Sequence, residues 1–257
     1  MLEIVDDGAV RTLALDRPDV RNALNKGLLQ ALRQALREAE RAGVRCLVVT
    51  GRGKSFSAGA DIAEWAEAEK SGKIESYGWV EEAHGLVAEM AAFPVPTLAL
   101  LNGAAVGAGL DMALACDFRF AADSAKFICA YTKMGYSPDA GGTWLMPRLI
   151  GLEAAKRFAF TGETWLAPEA LRRGLVTEIH PADRLAAAGL VFAKQLASGP
   201  TVAQRHAKRL MESAATRTLA GQLAEERKAG EDCGRSEDAK EAIEAAVARR
   251  EPVFKGR

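Results

Sequence analysis

The run Lys54-Ser55-Phe56-Ser57-Ala58-Gly59-Ala60-Asp61-Ile62 leaves an apolar strand, passes through a turn of small residues and enters a helix. Ahead of it, Cys46-Leu47-Val48-Val49 reads as a buried strand, and behind it Asp61 to Lys70 carries helix-forming residues. Small side chains at such a junction let backbone N–H groups approach a ligand closely. A helix N-terminus there favours negative charge, resident or developing. The pattern recurs downstream, where apolar Thr97 to Leu101 is followed by Asn102-Gly103-Ala104-Ala105-Val106-Gly107-Ala108-Gly109 and a helix through Leu110, Met112, Ala113 and Leu114. Two such turns can aim two N–H groups at one oxygen.

Working outward, Ile4-Val5 and Ala9 to Leu15 form a strand pair turned at Asp7-Gly8. Asn25 caps a helix with Leu28, Leu32, Leu36 and Ala39 on one face, and Gly43 breaks it. A helix over about Glu75 to Ala92 ends before Pro94-Val95-Pro96. Phe118 to Ala121 and Phe127-Ile128 read as short strands, Gly141 to Leu149 and Glu153 to Thr161 as helices. Alternating strands and helices imply an α/β fold. Beyond Pro181 the chain turns Ala-rich, charged and helical over Arg184 to Ala197, Thr201 to Ser213, Leu219 to Ala229 and Ser236 to Arg249. The organisation expected is a core over residues 1–195 and a helical region over 196–257, whose Leu/Ala faces pack on the core or on another subunit.

Lys plus Arg and Asp plus Glu each total 34 among 257 residues, a formal net charge of zero. That balance speaks against electrostatic binding of nucleic acid or an anionic membrane. Cys46, Cys116, Cys129 and Cys233 lack C-x-x-C spacing and fit free thiols in a reducing compartment. The longest apolar stretch, Val95 to Cys116, is interrupted by Asn102 and Asp111, and the N-terminus carries no basic, apolar leader, so the expectation is a soluble, cytoplasmic protein.

The turns at Ala58-Gly59-Ala60 and Gly107-Ala108-Gly109 suit an oxyanion hole, in which backbone donors hold charge developing on a carbonyl oxygen. For either turn alone, close helix–sheet packing is the commoner reason for small residues. Neither matches the dinucleotide-binding G-x-G-x-x-G, since Met112 follows Gly107-x-Gly109 at the third site. Among nearby acids, Asp61 suits a helix cap, Asp111 either complements a helix dipole or reacts, and Asp117 makes a turn. Asp139, in Ser137-Pro138-Asp139-Ala140-Gly141-Gly142-Thr143, is either an N-cap or a proton-transfer base held by a constrained loop. His84, His180 and His206 are scattered without a paired ligand motif, so no metal site is expected. No G-x-S-x-G elbow is present, and Ser57 lacks an evident base.

Together these residues resemble the enoyl-CoA hydratase/isomerase family, the crotonase superfamily, over essentially the whole chain. Leu15-Asp16-Arg17-Pro18 with Arg21-Asn22-Ala23-Leu24 is similar to the family's N-terminal CoA-contacting motif. Ser57 to Ile62 resembles its first oxyanion segment, and Asn102 to Asp117 its second. The resemblance implies a crotonase-like spiral of repeated ββα units, a C-terminal helical trimerisation region, a homotrimer or dimer of trimers, and acyl-CoA thioester substrates with no separate cofactor. It places the oxyanion donors at the Ala60 and Ala108 amides. It puts Lys54, Ala58, Asp61 and Ile62 around CoA, Arg17 and Arg21 near its phosphates, and Phe254 and Lys255 at a neighbouring subunit's CoA. Without the resemblance, the closing Phe-Lys-Gly-Arg reads as disordered.

The sequence departs from the family's hydratases, which use two glutamates to position and split water; here those positions hold Asp111 and Tyr131. Asp139 matches the proton-shuttling acid of Δ3,Δ2-enoyl-CoA isomerases and of the phenylacetate-pathway ring-epoxide isomerase, with Pro138 to Leu145 and Pro147-Arg148 especially similar to the latter. A related aryl-CoA dehalogenase uses an aspartate at this position with a histidine matching His84, but has a tryptophan where Tyr131 stands. The expected function is acyl-CoA isomerisation by Asp139, with Asp111 assisting or holding water and Tyr131 lining the acyl pocket. Enoyl-CoA hydration is the alternative, and a dehalogenase-like enzyme or an inactive acyl-CoA or RNA binder the minority readings. Pocket shape is expected to depend on the Glu64 to Tyr77 and Ala130 to Pro138 regions.

Overall fold

The hairpin at Asp7-Gly8 forms as expected: in the computed structural model β1 (Leu2–Asp7) pairs antiparallel with β2 (Val10–Leu15), and Gly8 turns between them with φ +63°. The structure describes residues 1–70 and 76–257. Asn25 caps α1 (Lys26–Arg41), its side-chain oxygen accepting from the Leu28 N–H at 2.9 Å. The expected apolar face of α1 is buried through Leu28, Leu32, Leu36 and Ala39. The helix returns the chain to β3 (Cys46–Gly51), which runs parallel to β2.

From β3 onward the chain winds in repeats of strand, short strand, helix. The first holds β3, β4 (Ser55–Ser57), α2 (Ile62–Lys70) and α3 (Ser76–Ala91). The second holds β5 (Thr97–Leu101), β6 (Ala104–Val106) and α4 (Ala108–Leu114). The third holds β7 (Phe118–Ala122), β8 (Lys126–Ile128), α5 (Gly142–Ile150) and α6 (Leu152–Thr161). Each turn gives one strand to each of two sheets, so β3, β5 and β7 lie side by side and parallel, as do β4, β6 and β8. The order of the larger sheet is β1-β2-β3-β5-β7-β10; in the smaller, β4-β6-β8-β9, an antiparallel β9 (Thr164–Leu166) closes one edge. After α7 (Ala167–Arg172), β10 (Glu178–His180) pairs parallel with β7. Leu98, Ala99 and Leu101 are fully buried, as strands covered on both faces require.

Several local expectations change. Ser55–Ser57 and Ala104–Val106 are strands rather than parts of open turns, too short and too poor in β-branched residues to show a period. β9, α7 and β10 are likewise too short to leave a pattern in the sequence. Glu75, where the sequence reading begins the helix of the first repeat, lies outside the described residues.

Four helices close the chain. α8 (Leu185–Ala197) packs across β3, β5 and β7, so the division drawn between 195 and 196 falls in the last turn of a helix that belongs to the core. α9 (Thr201–Ser213), α10 (Leu219–Arg235) and α11 (Glu237–Ala248) follow. α10 runs on past Ala229, because packing against α9 and α11 outweighs the roughly 1 kcal/mol that each of Gly230 and Gly234 costs a helix. The final residues are tied down rather than free. Buried Asp238 accepts the N–H groups of Lys255 and Gly256 at 2.6 and 2.8 Å, and Arg45 donates to the Phe254 carbonyl at 3.3 Å.

Candidate active site

The floor of the site is backbone, and side-chain amides hold it in place. Asn22, fully buried with φ +56°, donates through Nδ2 to the carbonyls of Arg52 and Ser55, both at 2.9 Å. The Ser57 hydroxyl donates to the Asn22 carbonyl at 2.8 Å and accepts from the Gly59 N–H at 3.2 Å. The chain then pairs at one point with Leu24: the Leu24 N–H donates to the Gly59 carbonyl and the Asp61 N–H to the Leu24 carbonyl. These bonds use the neighbours of Ala60 and leave its own N–H without a backbone acceptor among the described residues. Gly59 adopts φ +85°, and a Cβ on it would lie 2.7 Å from the Val106 carbonyl oxygen, so the two turns approach as only glycine permits.

The second turn reaches the same place by a different anchor. The Gly107 N–H donates to the Ile128 carbonyl at 2.9 Å, Gly107 turns with φ +51°, and Ala108 opens α4. An N–H in the first turn of a helix has no acceptor within that helix, and that of Ala108 has no backbone acceptor elsewhere among the described residues. Ala60 and Ala108 both line one cavity of about 210 Å³. A larger cavity of about 600 Å³ behind Tyr136 and Pro138 has Lys156 as its only charged lining residue among the described residues, and one of about 540 Å³ shares Asp139 and is also lined by His84.

Two acids lie close by and differ in access. Asp111, on α4, is 1% exposed and does not line the cavity. Its carboxylate accepts from the Tyr131 hydroxyl at 2.6 Å and from the Gly142 N–H, and a Cβ on Gly142 would collide with it. Burial pushes its pKa up to about 7, against the pull of these two donors, and the nearby Asp139 charge adds to the rise. Tyr131 stands between Asp111 and the cavity, which its ring lines. Burial, then the Asp111 charge, pushes its phenol far above the ordinary range.

Asp139 lines the cavity directly. It does not cap α5: the cap position is Gly141, with no side-chain cap bond. Its Oδ1 is buried without a hydrogen-bond partner among the described residues, and desolvation raises its pKa, opposed by its own backbone N–H and by His84. His84 Nε2 lies 2.6 Å from the Asp139 carbonyl oxygen, which fixes the loop to α3.

Of the other residues picked out in sequence, Ala58 and Ile62 line the cavity with Ala60, Ala108, Tyr131 and Asp139. Arg17 and Asp61 do not. Arg17 donates to Asp61 Oδ2 at 2.9 Å and to the Ala23 carbonyl at 2.6 Å, and Asp61 also accepts from the Glu64 N–H at 3.4 Å, so this pair braces the turn and caps α2. Arg21 and Lys54 extend into solvent beside it. Phe254 and Lys255 sit by Arg45, at the start of β3, whereas the cavity lies beyond its Gly51 end. A single chain therefore does not bring them to its own cavity. Sequence reading missed the aromatic wall of Trp65, Trp79 and Tyr136. Trp65 meets Trp79 edge-on at 5.2 Å and Tyr136 at 5.9 Å. Aromatic residues in a helical pattern read as core, and of the three only Trp65 lies close in sequence to one of the two turns.

The chain belongs to the enoyl-CoA hydratase/isomerase family, whose model matches residues 6–257. Its spiral is that family's crotonase fold. The 1,2-epoxyphenylacetyl-CoA isomerase of Escherichia coli is 36% identical over 260 residues, spanning 100% of this chain and 98% of that protein. The 2,3-dehydroadipyl-CoA hydratase of the same organism is 34% identical, covering 96% of each chain. A solved enoyl-CoA hydratase from Bacillus anthracis superposes with a TM-score of 0.93 at 33% identity, covering 100% of this chain and 99% of that one. Among the described residues no helix is long and apolar enough to cross a membrane.

Proposed function

We propose that the protein is an acyl-CoA isomerase that moves a proton along the acyl group through an enolate held in an oxyanion hole. The thioester oxygen sits between the Ala60 and Ala108 N–H groups. The Asp139 carboxylate takes a proton from the carbon α to the thioester, or from the vinylogous γ carbon, and the electrons of that C–H bond pass to the thioester oxygen. As they return, the double bond shifts and Asp139 gives the proton back at another carbon. A carboxylate is too weak a base for such a carbon acid unless the developing charge is stabilised where it forms.

One observation carries this reading: Asp139 alone of the two acids lines the cavity, while Asp111 is closed off behind Tyr131. Moving one proton needs one base, whereas adding water needs groups to deprotonate the water and to protonate carbon. Hydration by Asp111 and Asp139 is the alternative, and it would require the Tyr131 ring to move. In the proposed enzyme Arg17, Arg21, Lys54, Ala58, Asp61 and Ile62 surround the CoA moiety, which arrives as part of the substrate; no other cofactor takes part. Phe254 and Lys255 reach the CoA of a neighbouring subunit in a trimer or dimer of trimers. The exposed apolar residues Leu219, Leu223, Ile243 and Val247 of α10 and α11 suit such packing. The expected setting is the cytoplasm.

Purified protein offered a 3-enoyl-CoA and crotonyl-CoA decides between the readings. Bond migration in the first without water addition to the second supports isomerisation; the reverse result overturns it. Binding of both thioesters with turnover of neither would favour an inactive binder.

A further inference from the structure

Three cavities meet around the segment from Gly135 to Asp139, and that of Ala60, Ala108 and Asp139 is the smallest. At about 210 Å³ it falls below the roughly 300–1,000 Å³ of pockets that bury a drug-sized ligand, so beside the thioester it has room for only a short acyl group. The cavity of about 600 Å³ lies within that range, and its walls are largely apolar, through Met146, Leu152, Ala155, Ala159 and Phe160. Among the described residues Tyr136 alone lines both. The cavity of about 540 Å³ shares Asp139 with the smallest one instead, so an acyl chain entering it would have to pass the base.

The Tyr136 N–H donates to the Tyr131 carbonyl at 3.1 Å, which pins its backbone, and its ring lies 5.9 Å from that of Trp65, a wall of the smallest cavity. Tyr136 is nevertheless 50% exposed, so the fold depends little on the ring. The geometry points to Tyr136 as the residue that sets acyl-chain length: its ring closes the small cavity off from the large apolar one, so that short acyl groups are accepted and long linear ones refused. This rests on the small cavity being the acyl site of the proposed enzyme. Burying hydrocarbon gains about fourfold in affinity per methylene, so a long chain admitted to the apolar cavity binds more tightly than a short one, and a chain refused does not.

Calorimetric titration of the intact protein with hexanoyl-CoA and decanoyl-CoA, neither of which has a double bond to move, tests this without turnover. Wild type is expected to bind hexanoyl-CoA about tenfold more tightly, the cost of forcing extra methylenes into a filled space. This preference is readable whether or not any variant folds. Tyr136→Ala should strengthen decanoyl-CoA binding by about tenfold or more and reverse the preference, with hexanoyl-CoA within about threefold of wild type. Tyr136→Phe keeps the ring and should keep the wild-type order. Adding Phe160→Glu to Tyr136→Ala sets a charge on the wall of the large cavity, at a residue 72% exposed, and should abolish the decanoyl gain alone. Equal affinities in wild type, an order unchanged in Tyr136→Ala, or a decanoyl gain that survives Phe160→Glu overturns the gate. Failure of wild type to bind either thioester overturns the acyl site and the gate with it. A wild type that shows the preference but isomerises no 3-enoyl-CoA would instead overturn the proposed reaction and leave the gate standing.

Discussion

The first two turns of the spiral and the third solve different problems with the same parts. In the first two, the short second strand runs almost directly into a helix, and the residue at that junction, Ala60 or Ala108, offers an N–H. In the third, residues 129–141 intervene between β8 and α5, and they bring Tyr131, Tyr136 and Asp139 to the cavity. Tight turns fix backbone donors with little freedom, as a stabiliser of developing charge must be fixed. The longer connection carries side chains and can vary without disturbing the floor. On the proposed reading, the substrate handle is written in the first two repeats, and the reaction in the third.

The largest effect should come from the third repeat. Asp139→Asn is expected to lower kcat on a 3-enoyl-CoA by about a thousandfold while CoA affinity, measured by calorimetry, stays within about twofold. Wild-type kcat should also fall on acidification with a midpoint above the ordinary carboxylate range, because Asp139 must be ionised to act and burial raises its pKa. Gly59→Ala attacks the floor instead: strained at φ +85° and pressed on Val106, it should displace the Ala60 N–H and cost about a hundredfold in kcat, with circular dichroism unchanged. An activity loss larger than that of Asp139→Asn would reverse the division of labour. Tyr131→Phe removes a donor from buried Asp111 and should lower unfolding stability by roughly 2 kcal/mol in urea titrations.

A further effect concerns Asp111. With a folded pKa near 7 against an ordinary value of 3.8, the folded protein holds this proton more tightly than the unfolded chain does. Its contribution is thus fully present below about pH 4 and lost as pH rises toward 7. Asp111→Asn should therefore gain stability relative to wild type across that window, read from urea midpoints at successive pH values. A constant difference between the two proteins would show that Asp111 ionises as an ordinary carboxylate.

How much of this was legible in the sequence follows from how local each cause is. The helix cap at Asn25, the hairpin at Gly8 and the buried run Thr97 to Leu101 depend on near neighbours, and they read correctly. β4 and β6 owe their form to partners some fifty residues away, Ser55 to Ala104 among them, and three residues leave no pattern to detect. In the site, small residues at Ala58 to Ala60 and at Gly107 to Gly109 marked the two turns, and the resemblance to the family put Asp139 beside them. The two uses open to Asp139 in sequence, cap or base, separate only once Gly141 is seen to occupy the cap. That Tyr131 screens Asp111, and that Trp65 lacks an acceptor among the described residues where Trp79 has one, depends on packing between elements distant in the chain.

The spiral also bears on how the protein comes to be folded. Leu47 pairs with Thr97, Leu98 with Phe118, and Phe120 with Glu178, so β3, β5 and β7 each wait for a segment made later. No ββα repeat can bury its apolar strand alone, and every parallel pairing needs a long loop closed before any contact rewards it. Refolding should accordingly be slow beside that of a helical bundle of the same length. A chain emerging from the ribosome holds the unpaired edge of β3 until Thr97 to Leu101 arrives.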